Sequence, residues 1–93
     1  NGFERIVFDF SGSKLPQLYA HLSSGRSKLN IDFLRTKLSK EIKPFFSSNY
    51  VKEINFFPLA DSTLSAEVFL KPATYIEIFY LDSPSRLVVD LKK

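Results

Sequence analysis

The feature that most constrains this chain is a strict two-residue alternation that appears three times. It is clearest at the end, in Arg86-Leu87-Val88-Val89-Asp90-Leu91. In an extended strand Leu87, Val89 and Leu91 share one face, and Arg86, Val88 and Asp90 share the other. Arg5-Ile6-Val7-Phe8-Asp9-Phe10 and Lys28-Leu29-Asn30-Ile31-Asp32-Phe33 repeat the pattern. Each run opens its outer face on a basic residue and closes it on an aspartate four residues later. A helix would scatter these side chains around its circumference, so the period commits the chain to strands.

The remaining segments fit the same architecture. Strands are expected over residues 4–10, with Ile6, Phe8 and Phe10 inward, and over 16–22, with Leu18, Ala20 and Leu22 on one face. Further strands are expected at 27–33 and at 50–57, where Ile54 and Phe56 turn inward and Pro58 ends the run. Leu64, Ala66, Val68 and Leu70 line a fifth. A sixth covers 74–81, with Ile76 and Ile78 on one face and Tyr75 and Phe79 on the other. The seventh covers 85–91. Gly- and Ser-containing turns separate them at 11–14 and 23–26, with others at 60–62, 71–72 and 82–85. Only residues 34–43 break the alternation. Leu34, Leu38 and Ile42 recur every four residues among basic neighbours, the mark of a short amphipathic helix stopped by Pro44, with a structured loop as the alternative. Ten Phe and four Tyr suit half-buried sheet faces. The expected fold is all-β: a β-sandwich of two similar sheets, about seven strands, in one domain spanning residues 1–93.

The two similar sheets are expected from an internal repeat; the alternative is that any two amphipathic strands align tolerably, and the matching turn and closing Asp favour the repeat. Residues 28–33 lie over residues 86–91, and only Asn30 against Val88 is chemically unlike. The turn Leu22-Ser23-Ser24-Gly25-Arg26-Ser27 matches Leu81-Asp82-Ser83-Pro84-Ser85 after a one-residue gap. The halves are unequal, because residues 50–57 form a lead strand before the second three-strand unit. The first half begins directly, so its lead strand is expected upstream of Asn1 or as a remnant in Asn1-Gly2-Phe3. An opening without Met reads as a piece excised from a longer protein.

The chemistry available to such a chain is narrow. It has no Cys, which removes thiol nucleophiles, disulfides and cysteine metal sites. Its one His, His21, cannot alone supply the three protein ligands of a catalytic zinc, and no Ser lies in a nucleophile-elbow context. The three Gly are too scattered for a phosphate loop. No cofactor, metal or catalytic residue is therefore expected. Arg5, Asp9, Asp32, Arg86 and Asp90 read as framework. Four residues along a strand place a pair about 13 Å apart, too far to bond, but across antiparallel strands an Arg of one can stand opposite an Asp of the next and help fix register. The net charge of +3 permits attraction to anionic polymers. Arg26, Lys28, Arg35, Lys37, Lys40 and Lys43 beside Phe45 and Phe46 outline a nucleic-acid surface, but the Lys spacing is that of a solvated helix face. Neither nucleic acid nor membrane insertion is expected.

The runs beginning at Arg5 and Arg86, with Val51-Lys52-Glu53-Ile54-Asn55-Phe56 between them, resemble the AMIN domain. That domain precedes the catalytic domain of periplasmic N-acetylmuramoyl-L-alanine amidases and occurs near the N-terminus of type IV pilus secretins. The resemblance covers nearly the whole chain. It departs from the family in the missing lead strand and in the Lys-rich insert at 34–48. It implies a non-catalytic module, exported to the bacterial envelope, that targets a parent amidase or secretin to peptidoglycan, often at the division site. An alternative from another class is a protein-interaction module of a secretin or divisome assembly, with envelope proteins as partners. The family has no agreed catalytic set to carry over. Tyr19, Lys28, Arg35, Tyr75 and Tyr80 are the ligand-binding candidates, chosen because exposed aromatic rings stack on sugars and cations pair with peptide carboxylates.

Overall fold

A computed structural model describes residues 3–10, 16–36, 48–81 and 85–93. The fold is all-β, as the alternation requires: seven strands are divided between two antiparallel sheets, as in an all-β sandwich. The strands are β1 (Phe3–Asp9), β2 (Leu18–Leu22), β3 (Lys28–Phe33), β4 (Val51–Leu59), β5 (Thr63–Leu70), β6 (Tyr75–Leu81) and β7 (Arg86–Lys92). There is no α-helix among the described residues. Leu34 and Arg35 form a turn, with Arg35 at φ 51°, and Thr36 after it is not helical; residues 37–43 of the helix expected at 34–43 lie outside the described residues, as do Phe45 and Phe46.

Two compact units share the chain. Asn1–Leu15 and Ala73–Lys93 make one, and Pro16–Pro72 the other. The first holds a three-stranded sheet in the order β1-β7-β6. Leu87, Val89 and Leu91 are buried, as their spacing demands. Val88, expected on the outer face, is buried as well, because β7 is the central strand and Val88 is flanked by Val7 and Phe79 in the same cross-strand row. Within this unit the hydroxyls of Thr74 and Ser85 are buried without a hydrogen-bond partner.

The second unit holds a four-stranded sheet in the order β2-β3-β5-β4. One of its faces is apolar throughout. Leu29, Ile31 and Phe33 of β3 and Leu64, Ala66, Val68 and Leu70 of β5 are all buried, and Leu18, Leu22, Ile54 and Phe56 extend that face onto the flanking strands. β4 does not end at Pro58: it continues to Leu59, with Pro58 opposite Leu64. β4 is an edge strand, and an edge position tolerates a residue that cannot donate to a ladder. A bulge between Val51 and Glu53 interrupts the register at its start. A single 3-10 turn, Ala60–Ser62, joins β4 to β5, with Asp61 at φ 63° and ψ 28°.

The repeat is present in the pairing, but its copies do not form one sheet each. Strand β1 pairs with β7, whereas β3 pairs with β5. Each sheet therefore combines the first strand of one copy with the hairpin of the other: β1 with β6–β7, and β5 with β2–β3. β4 is an addition on the outer edge of β5. The turns also correspond without a gap. Leu22 faces Leu29 and Tyr80 faces Leu87, so Leu22 is equivalent to Tyr80, not to Leu81. In the first turn Ser23 Oγ accepts from the amides of Ser27 and Lys28, each at 3.1 Å, and Arg26 takes a left-handed φ of 57°.

Candidate functional site

The outer face of the four-stranded sheet is built from the residues that alternation turns away from the apolar face. Directly opposed residues in antiparallel strands share a side of the sheet, so the register lays this face out in rows. The first row is Tyr19, Asp32, Ser65 and Phe57, one from each strand. The second is His21, Asn30, Glu67 and Asn55. The third is Lys28, Phe69 and Glu53. Three strand spacings separate Tyr19 from Phe57, about 14 Å. Tyr19 is 60% and Phe57 44% exposed, so two rings rim the first row with polar groups between them.

Those polar groups are bonded to one another. Asn30 Nδ2 donates to Asp32 Oδ1 at 3.2 Å and to Ser65 Oγ at 3.3 Å. Lys28 Nζ reaches Glu67 Oε2 at 3.3 Å and lies 5.9 Å from the centre of the Phe69 ring. Gln17 Nε2 donates to the Tyr19 hydroxyl at 3.1 Å, steadying the ring. Asn55 donates to Glu53. Asp32 thus stands opposite Tyr19 and Ser65, not opposite a basic residue as its framework role required. The face offers amide, carboxylate and hydroxyl groups. Among the described residues no three His, Cys, Asp or Glu side chains converge as a metal site would need.

On the three-stranded sheet the register does bring basic and acidic residues opposite one another. Arg5 is opposite Asp90 and Asp9 opposite Arg86. Arg5 grips Asp90 with both arms, Nε to Oδ1 at 2.6 Å and Nη2 to Oδ2 at 2.9 Å. Its guanidinium also lies 5.9 Å from the Phe3 ring centre and 5.5 Å from that of Phe79. The hydrogen bonds from Arg5 hold the Asp90 carboxyl below its ordinary value, and Asp90 raises Arg5 in return; partial burial opposes both shifts. Lys92 and Glu77 make a looser pair at 3.9 Å on the same face.

Of the five ligand candidates, only Tyr19 and Lys28 share a face. Tyr75 lies on the outer face of the three-stranded sheet with Phe3 and Lys92. Tyr80 belongs to the opposite face of that sheet, beside Leu87, and is 63% exposed. Arg35 sits in the turn after β3. The residues that complete the Tyr19 face are Asn30, Asn55, Phe57, Ser65 and Glu67. Their alternation was readable, since Ile54 and Phe56 inward leave Asn55 and Phe57 outward. What joins them to Tyr19 is the strand order, which no local pattern carries.

The geometry defines an all-β chain with two antiparallel sheets and a polar sheet face with an exposed aromatic ring on each flanking strand. Compared with known protein families, characterised proteins and solved structures, the chain matches none.

Proposed function

We propose that this chain is a non-catalytic module that holds a parent cell-wall amidase or secretin against peptidoglycan in the bacterial envelope, using the outer face of its four-stranded sheet. The reading rests on the resemblance of the Arg5 and Arg86 runs to the AMIN domain. The observation that carries it to a site is the row Tyr19-Asp32-Ser65-Phe57, with exposed rings at its two ends. A row of groups spread across four strands suits an extended polymer better than a small molecule, which favours a concave site. The rings supply stacking area for sugar faces. Asn30, Asn55 and Asp32 supply hydrogen bonds for hydroxyl and acetamido groups. Lys28 offers a cation to the carboxylates of the peptide stems, sharing it with Glu67.

Co-sedimentation with purified sacculi tests the proposal. The chain should enrich in the pellet at low salt, and Tyr19→Ala with Phe57→Ala should abolish the enrichment while leaving the circular dichroism spectrum unchanged. A chain that stays in the supernatant would sink the proposal. Capture by an envelope protein without wall binding would replace it with the protein-interaction alternative.

A further inference from the structure

The first row of the four-stranded sheet's outer face is bordered by two turns, and both hold a backbone that glycine would adopt more easily. Among the described residues Arg26, Arg35, Asp61, Ser62 and Ala73 have a left-handed φ without being glycine, and the middle three meet at this border. Arg35 (φ 51°) follows Asp32 in the turn that leaves β3. Asp61 (φ 63°) and Ser62 (φ 59°) lie in the turn that joins β4 to β5, just before Ser65. The amide of Thr36 donates to the Ser62 carbonyl at 2.9 Å, so the two turns are tied together at one end of the sheet.

The Arg35 turn is pinned on both sides. Before it, the Leu34 amide donates to the Gln17 carbonyl at 2.9 Å. After it, Thr36 is held by Ser62, and its hydroxyl donates to the Leu34 carbonyl at 3.0 Å. Gln17 has a second task, since its side-chain amide donates to the Tyr19 hydroxyl at 3.1 Å. One residue thus fixes both the turn that carries Arg35 and the ring that opens the first row. Arg35 itself is exposed, and among the described residues nothing hydrogen-bonds or ion-pairs with its guanidinium. A non-glycine residue in this backbone region is strained, and such strain gathers at ligand sites, where the surroundings over-determine it. Glycine would relieve it. An arginine here keeps the strain and displays a cation.

The charges of the face indicate what that cation meets. The rows carry Asp32, Glu67 and Glu53 against Lys28, and Lys28 already shares its charge with Glu67 at 3.3 Å. A ligand carboxylate laid on the rows themselves would face like charge. Beyond the first row it would face Arg35, and Asp61 in the neighbouring turn makes no ion pair with that guanidinium. We infer that the site continues past its first row into a carboxylate subsite at Arg35. A glycan strand then lies across Tyr19 and Phe57, a peptide stem turns off the end of the sheet to pair with Arg35, and Gln17 is the positioning residue that joins the two parts. The inference rests on the peptidoglycan reading above. A planar guanidinium takes a carboxylate through two parallel N–H···O bonds, which a lysine cannot copy.

Co-sedimentation of the 93-residue chain with intact sacculi, and with sacculi whose peptide stems an amidase has removed, tests this. Arg35→Gly relieves the left-handed backbone, so its thermal midpoint should not fall. Its affinity for intact sacculi should nevertheless drop by about fivefold or more, while its affinity for the stem-free glycan stays unchanged. Gln17→Ala should weaken binding to both materials, because it also frees the Tyr19 ring. Arg26→Gly is the control: it removes the same charge from the same left-handed backbone at the other end of β3, and should leave binding to intact sacculi unchanged. Arg35→Gly that binds both materials as the unaltered chain does, or that loses both equally, overturns the inference. So does a lowered midpoint, which would make Arg35 a support of its own turn. So does an equal loss in Arg26→Gly, since net charge alone would then account for it, or Gln17→Ala without effect on either material. An unaltered chain that pellets with neither material removes the peptidoglycan reading itself, and this inference with it.

Discussion

Ile31→Ala is the substitution that most directly tests the four-stranded sheet. Ile31 is fully buried in β3, and its neighbours across the ladder are Ala20 on β2 and Ala66 on β5. The change removes three carbon atoms. At about 0.8 kcal/mol per buried methylene the transfer loss alone is about 2.4 kcal/mol. A cavity term adds to it, and its size depends on how far the surroundings collapse. Two flanking alanines have no side chain to swing into the gap, so the cost belongs in the upper part of the usual range, about 4 kcal/mol. A chain of this length is stable by about 5–14 kcal/mol in all, so the variant keeps about 1–10 kcal/mol of it. Urea denaturation followed by far-ultraviolet circular dichroism reads the effect. With a slope of about 1–2 kcal/mol/M the midpoint should fall by about 2–4 M. Ile31→Val should cost only about 0.5–1.5 kcal/mol, and His21→Ala, on the exposed side of β2, less than about 0.5 kcal/mol. An Ile31→Ala loss below about 1 kcal/mol at unchanged slope would refute the assignment of Ile31 to a packed central row.

Acid should weaken the fold through Asp90. Its carboxyl is lowered in the folded state, so its contribution is complete above the ordinary carboxylate value and is lost as pH falls through the folded one. Asp90→Asn should flatten the stability–pH curve in that acidic window and leave its shape near neutrality unchanged, as measured by urea midpoints from pH 2 to 7. Gly25→Ala should raise stability by about 0.4–1 kcal/mol, because no atom lies within 4 Å of the added carbon and the left-handed residue of that turn is Arg26. Ala73→Gly should raise the thermal midpoint as well, since Ala73 holds φ at 63°, a strained value for a residue with a Cβ.

The alternation was enough to find all seven strands, because each buries a face whose residues recur every second position. Leu64, Ala66, Val68 and Leu70 are the plainest case. It was not enough for Val88, which sits between Arg86 and Asp90 and reads as an outer residue until Val7 and Phe79 are known to flank it. Nor was it enough for Pro58, since whether a strand tolerates proline depends on its place in the sheet. The Arg5–Asp90 grip joins residues 85 apart in the chain. The sequence specified the facing side of each group, while the partner strand depends on long-range pairing. The same holds for the site. Tyr19 and Lys28 were legible by side-chain type, but Phe57 joins Tyr19 only because β5 and β4 complete that sheet.

The exchange of first strands between the two copies has a consequence in time. During synthesis β1 precedes β2 to β6, yet among the described residues its sheet partner is β7, which follows them all. β2 to β5, in contrast, are contiguous and can assemble as soon as Leu70 is available. β1 must therefore wait for this ladder until β7 has been made. Closing so long a loop late is slow. Loss of β7 would leave Phe3–Asp9 without this ladder, although every residue of that strand remained.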